Sequence, residues 1–87
     1  DSFLQHALAL EYSKIGDDIA ARTLFEEIIK NNPSYTGTYY HLAKLFKREG
    51  ETEKAIAIYE QGIQIARQSG DLHSMNELRS ALQELTL

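Results

Sequence analysis

Residues Leu42–Gly50, LAKLFKREG, repeat the pattern of Leu8–Gly16, LALEYSKIG, at a distance of 34 positions. In each stretch Leu and Ala stand side by side, a large aromatic follows three places after the Ala, and Gly closes the run. The same shift superposes Ala21 on Ala55, Phe25 on Tyr59, Glu26 on Glu60 and Ile29 on Ile63. A fixed period of this length marks a stacked helical array, in which each unit hides its apolar face only against its neighbours. The small residues matter as much as the large ones. Ala9/Ala43 and Ala21/Ala55 mark places where one helix approaches another closely, while the aromatics fill the space between turns.

Working outward from these stretches, nearly every segment reads as helix. Leu4, Leu8, Tyr12 and Ile15 recur at spacings of four and three, which puts them on one face and makes that face the expected core side. Ser2 followed by Gln5 predicts a capping box at the start. Gly16 suits a left-handed helix terminus, and Asp17 or Asp18 can cap the next helix. Ala21, Leu24, Phe25, Ile28 and Ile29 form a second face, which stops before Pro33 because proline disfavours helix at the residue preceding it. Tyr35, Tyr39, Leu42, Ala43 and Phe46 form a third, ending at Gly50. A fourth carries Ala55, Ile56, Tyr59, Ile63 and Ala66 and ends at Gly70. The last carries Leu72, Met75, Leu78, Leu82 and Leu85, with Asp71 as its cap. No stretch alternates with period two for long enough to be a strand. The spacing predicts an all-α chain of five helices.

The chain has 87 residues, 43% hydrophobic and 25% charged, with nine Lys+Arg against thirteen Asp+Glu. That is enough for one core and too little for two, and a fold of this size buries only roughly 60–65% of its unfolded surface. Without Cys there is no disulfide framework, thiolate metal site or thiol nucleophile. The formal charge of −4 argues against broad binding to nucleic acid or anionic lipid. No apolar run approaches the ~20 residues of a membrane span. The first residues, Asp1-Ser2-Phe3, have no basic stretch typical of a secretion signal. The expectations are a cytoplasmic setting and a chain cut from a longer protein.

These residues resemble the tetratricopeptide repeat. Counting from Ser2, a first unit offers Leu8-Ala9, Tyr12, Ala21, Phe25 and Pro33. Counting from Thr36, a second offers Tyr39, Leu42-Ala43, Phe46, Ala55 and Tyr59. The departures are Gln5 where an aromatic is usual, Ile28 and Gly62 where Ala is usual, and Arg67 where Pro is usual. The missing Pro suggests that the fourth helix runs on by a turn before Gly70. The resemblance implies a right-handed superhelical array of antiparallel hairpins. Its parts would be a first unit at 2–35, a second at 36–69 and a solvating end helix at 70–87, which together form a single domain.

Catalytic chemistry finds no foothold. The glycines are isolated, so no phosphate-cradling loop exists, and no Ser lies in a nucleophile elbow. The pairs Asp17/Asp18 and Glu26/Glu27 lie at a turn and on a polar face, where nothing would desolvate one of them for acid–base work. The expectation is that the chain is not an enzyme. His6 and His41 fall at neighbouring register on the first helix of each unit, so their rings can approach each other. Two imidazoles without a third ligand make a poor zinc site, and no metal or other cofactor is expected.

Charge is unevenly placed. In arrays that the chain resembles, the first helix of each unit lines the concave side. That implies a groove formed by Phe3, His6, Ala7, Leu10, Ser13 and Lys14, then Gly37, Tyr40, His41, Lys44, Lys47 and Arg48. The partner-binding residues expected among them are Phe3, His6, Leu10, Lys14, Tyr40, His41, Lys44, Lys47 and Arg48. The list contains no carboxylate. Lys44, Lys47 and Arg48 stand at i, i+3 and i+4 and so project together, although cations also suit the end of a helix through its dipole. Such a groove would attract an acidic peptide or protein segment, with Phe3, Leu10 and Tyr40 giving apolar contact. Family members that clamp a C-terminal carboxylate use Lys and Asn at places that hold His6, Leu10 and His41 here, so the resemblance does not extend to that clamp. The alternative expectation is structural: a stretch of a longer array, or a unit that self-associates through Phe3, Leu10 and the Leu85-Thr86-Leu87 end. Two units are few, because such arrays usually need about three for independent stability.

Overall fold

The computed structural model describes residues 1–87 as five helices: α1 (Ser2–Lys14), α2 (Asp18–Asn31), α3 (Gly37–Arg48), α4 (Thr52–Ser69) and α5 (Leu72–Thr86). Links this short force consecutive helices to run antiparallel and pack against each other, and the main contacts are indeed between successive helices. The all-α expectation holds, and there is no strand.

Three of the turns are built alike. Gly16, Gly50 and Gly70 have φ of 85°, 81° and 74°, the left-handed region that only glycine enters freely. In each, the amide of the residue after the glycine donates far back into the helix: Asp17 to Tyr12 O, Glu51 to Phe46 O and Asp71 to Ala66 O. This closure satisfies carbonyls that a helix end would otherwise leave open. Asp17 and Asp71 then start the next helix by accepting from Ala20 N and Ser74 N, at 3.2 and 3.1 Å. The first helix begins differently from the sequence expectation. Asp1 caps it by accepting from Phe3 N at 2.8 Å, and Ser2 is already helical. Helix α4 has 18 residues against 14 in α2, the extra turn expected from the missing proline.

The core joins the paired positions of the two units. Ala9, Ala21, Ala43 and Ala55 have no exposed surface, with Phe25, Tyr59, Leu42, Leu45 and Leu78 closed around them. At the place where the first unit has Gln5 with Ile28, the second has Tyr39 with Gly62. The exchange is steric: a β-carbon on Gly62 would lie 2.6 Å from the Tyr39 β-carbon and 3.1 Å from a Leu78 methyl. Tyr39 uses the space to bury its ring and donates its hydroxyl to Pro33 O at 2.6 Å. Thr38 is the one buried polar side chain, and its hydroxyl lies 3.1 Å from His6 Nδ1.

The face read for α1 is corrected. Leu4, Leu8 and Ile15 are exposed, at 64%, 48% and 75%, and the side turned to the core is the one carrying Ala9. Periodicity identifies an apolar stripe without saying whether a neighbour covers it. Helix α1 packs on α2, and its Leu4/Leu8/Ile15 stripe faces outward at the end of the stack. Leu72, expected on the inner face of α5, is likewise exposed.

Candidate interaction groove

Alternate helices share one side of the stack. A first cleft between α1 and α3 is lined by Ala7, Leu10, Glu11, Ser13, Lys14 and Arg48. A second, of about 330 Å³, lies between α3 and α5. Tyr40 forms one wall, and the other carries His73, Asn76, Glu77, Ser80, Ala81 and Glu84. On α1, Phe3, Ala7, Leu10 and Lys14 recur at four, three and four, so the exposed Phe3 belongs to the same stripe as the cleft residues.

Between the clefts the surface has an aromatic floor. The rings of His6 and His41 are 5.3 Å apart, the approach expected from their register. His6 also lies 5.6 Å from Phe25 and 5.3 Å from Tyr35, and His41 stacks on Phe25 at 6.2 Å. Tyr40 stands edge-on to His41 and to Tyr59. Burial pushes both imidazoles below the ordinary histidine value, and His41 is lowered further by His6 and Lys44, against a weaker opposite pull from Glu77. Both histidines are therefore packing groups that favour the neutral form, half sunk in the floor. No group of three or more His, Cys, Asp or Glu is placed to hold a metal ion.

The cations do not project as one cluster. Arg48 turns away from Lys44 and Lys47 to donate to Asp18 Oδ1 at 2.6 Å and Ser13 Oγ at 3.1 Å, tying α3 to both helices of the first unit. Lys14 pairs with Glu11 at 3.7 Å on the open surface. Lys44 rests over the Tyr40 ring, 5.4 Å from its centre, and makes no salt bridge. Lys47 is exposed and likewise unpaired. The freely presented charge is thus Lys44 and Lys47.

The carboxylate-free groove is also corrected. Helix α5 occupies the place of a further first helix, so its polar stripe forms a wall on the same side. His73, Glu77, Ser80 and Glu84 recur at four, three and four, a spacing present in the sequence whose role as a groove wall shows only once α5 is placed beside α3. Asp71 fixes this wall to α3. It accepts from the Thr36 hydroxyl at 3.0 Å as well as from Ser74, and those hydrogen bonds, Ser74's first, hold its carboxyl below the usual range.

Stacked hairpins with glycine-closed turns, paired alanines at helix contacts and alternate helices facing one side define a helical-hairpin repeat protein. The family model of the tetratricopeptide repeat matches residues 4–35 and 36–69, and the chain belongs to that family, as two repeats followed by a capping helix. The solution structure of a tetratricopeptide repeat domain protein from Salinibacter ruber is 42% identical, with a TM-score of 0.94 over 98% of this chain and 86% of that one. A crystal structure of such a domain protein from the same organism, also 42% identical, gives 0.92 over 99% of this chain and 97% of that one. A protein from Bordetella parapertussis, 23% identical, shares the fold at 0.87 over 99% of this chain and 75% of that one. No curated protein matches the sequence significantly. Repeats of this family generally mediate protein–protein interaction, and the fold is typically a non-enzymatic scaffold. No helix is long and apolar enough to cross a membrane.

Proposed function

We propose that this chain docks a segment of a partner protein along the side formed by α1, α3 and α5. Phe3, Leu10 and Tyr40 supply apolar contact, Lys14, Lys44 and Lys47 supply positive charge, and His6 and His41 shape the floor. The observation that carries the reading is the pairing of unneutralised Lys44 and Lys47 with a half-buried tyrosine and leucine and an exposed phenylalanine on one face. The helices hold these groups in place before binding, so little conformational entropy is lost when a segment docks. Arg48 acts as a structural tie here and not as a contact.

The test is titration of the isotope-labelled chain with a short acidic peptide rich in Glu and Leu, followed by NMR. Shifts at Leu10, Tyr40, Lys44 and Lys47 are expected. The Lys44→Glu, Lys47→Glu variant should bind several-fold more weakly at low salt with unchanged helix content, because exposed charges act mainly through screened attraction. Equal affinity of the two forms rejects the groove. A second reading, self-association with another copy of the chain, is favoured by the outward Leu4, Leu8, Ile15 and Ile19. Sedimentation equilibrium decides it: a monomer at all concentrations rejects self-association.

A further inference from the structure

The groove carries opposite charges on its two sides. Lys44 and Lys47 stand on α3 with no anion paired to them. Across the second cleft, Glu77 and Glu84 stand one above the other on α5. The one ion-pair contact of Glu77 is with the exposed His73, at 3.7 Å, and Glu84 forms none. The wall between and around them offers further acceptors at Asn76 and Ser80, and the small Ala81 leaves the space open against the Tyr40 ring. That ring already holds one cation, Lys44, over it. Tyr59 stands edge-on to that ring, and burial, Tyr40 and Glu84 together push its phenol up.

We infer that the docked segment is bipolar, presenting an acidic residue to Lys44 and Lys47 and, on its other side, a lysine or arginine to the cleft between Tyr40 and the Glu77/Glu84 wall. A uniformly acidic segment is repelled at α5, and a uniformly basic one at α3, so the two walls select against both. The spacing follows from the geometry of an extended chain. It advances ~3.3 Å per residue and turns successive side chains to opposite sides, so two charges three positions apart point to opposite walls. A guanidinium or ammonium entering the cleft finds carboxylates for ion pairing, amide and hydroxyl oxygens for hydrogen bonding, and an aromatic ring beside it. This inference rests on the docking reading and adds the chemistry of the partner to it.

Three short peptides on one Ser/Leu background test it, with Glu and Lys about three positions apart in the first, Glu at both places in the second and Lys at both in the third. The mixed peptide should bind roughly fivefold more tightly than either of the others, the scale of one exposed charge pair exchanged for a like-charge contact. Its NMR shifts should include Tyr40, Glu77, Ser80 and Glu84. The exposed pair Glu77→Lys, Glu84→Lys should keep its helix content and transfer the preference to the double-Glu peptide. If the double-Glu peptide binds the unaltered chain best, at Lys44 and Lys47, docking stands and the bipolar partner is overturned. If no peptide shifts any groove residue, the docking reading falls with it.

Discussion

At the scale of single residues, two features have measurable consequences. The first is Gly62, where α4 comes within a β-carbon's reach of Tyr39. Alanine normally improves a helix interior over glycine by up to about 1 kcal/mol. Here the added methyl meets the stem of a buried tyrosine, which cannot swing aside, and overpacking of that kind costs about 1–3 kcal/mol. With the two set against each other, Gly62→Ala is expected to lower stability by up to about 2 kcal/mol, read as a drop in the urea midpoint. The second is the histidine pair. Burial lowers the pKa of His6 and His41 when folded, so the unfolded chain binds more protons between the folded values and 6.5. The stability they contribute is whole above 6.5 and is lost as the pH falls through that window. Thermal melts of the native chain should show this loss, and the His6→Gln, His41→Gln variant should show a flatter profile over the same range. The histidines' proximity was legible from register. The Gly62 contact was visible only as a departure from the usual alanine, since its cause lies on another helix.

At the scale of helices, the boundaries were legible because they have local chemical causes: glycine at left-handed turns, aspartate at caps, and proline after α2. Which face of a helix is covered was less legible, because that depends on what lies beside it. Leu4, Leu8 and Ile15 have the spacing of a core stripe and stand in solvent. The cationic run on α3 misled in the same way. Helical spacing groups Lys44, Lys47 and Arg48, but Arg48 is claimed by Asp18, a residue thirty positions earlier that no local pattern connects to it. A second tie, Arg22 to Glu49 at 3.4 Å, joins α2 to the turn after α3. Arg48→Ala is expected to destabilise the chain by up to about 1 kcal/mol, since the pair is partly exposed. It should leave peptide affinity nearly unchanged at temperatures where the variant is folded. Differential scanning calorimetry and a peptide titration of that variant check the two halves of the statement.

For the whole molecule, the two ends of the stack differ. Helix α1 presents an apolar stripe outward, while α5 turns Leu78 inward and shows a mostly polar exterior. Replacing Leu4 and Leu8 together by Gln should change the unfolding free energy by no more than about 1 kcal/mol, at about 0.5 kcal/mol for each exposed position. Leu78→Ala should cost about 2–5 kcal/mol, because it leaves a cavity where α5 closes the core. Urea denaturation of the two variants side by side distinguishes an idle end from a sealing one. The contact at Gly62 also has a consequence for shape. A β-carbon there would meet Tyr39 on α3 and Leu78 on α5 at once, and these two helices are the walls of the second cleft. The missing side chain at Gly62 thus lies behind both jaws, where an added group would press on each of them. A bulkier residue there would act as a shim, spreading the jaws without altering any side chain that lines them.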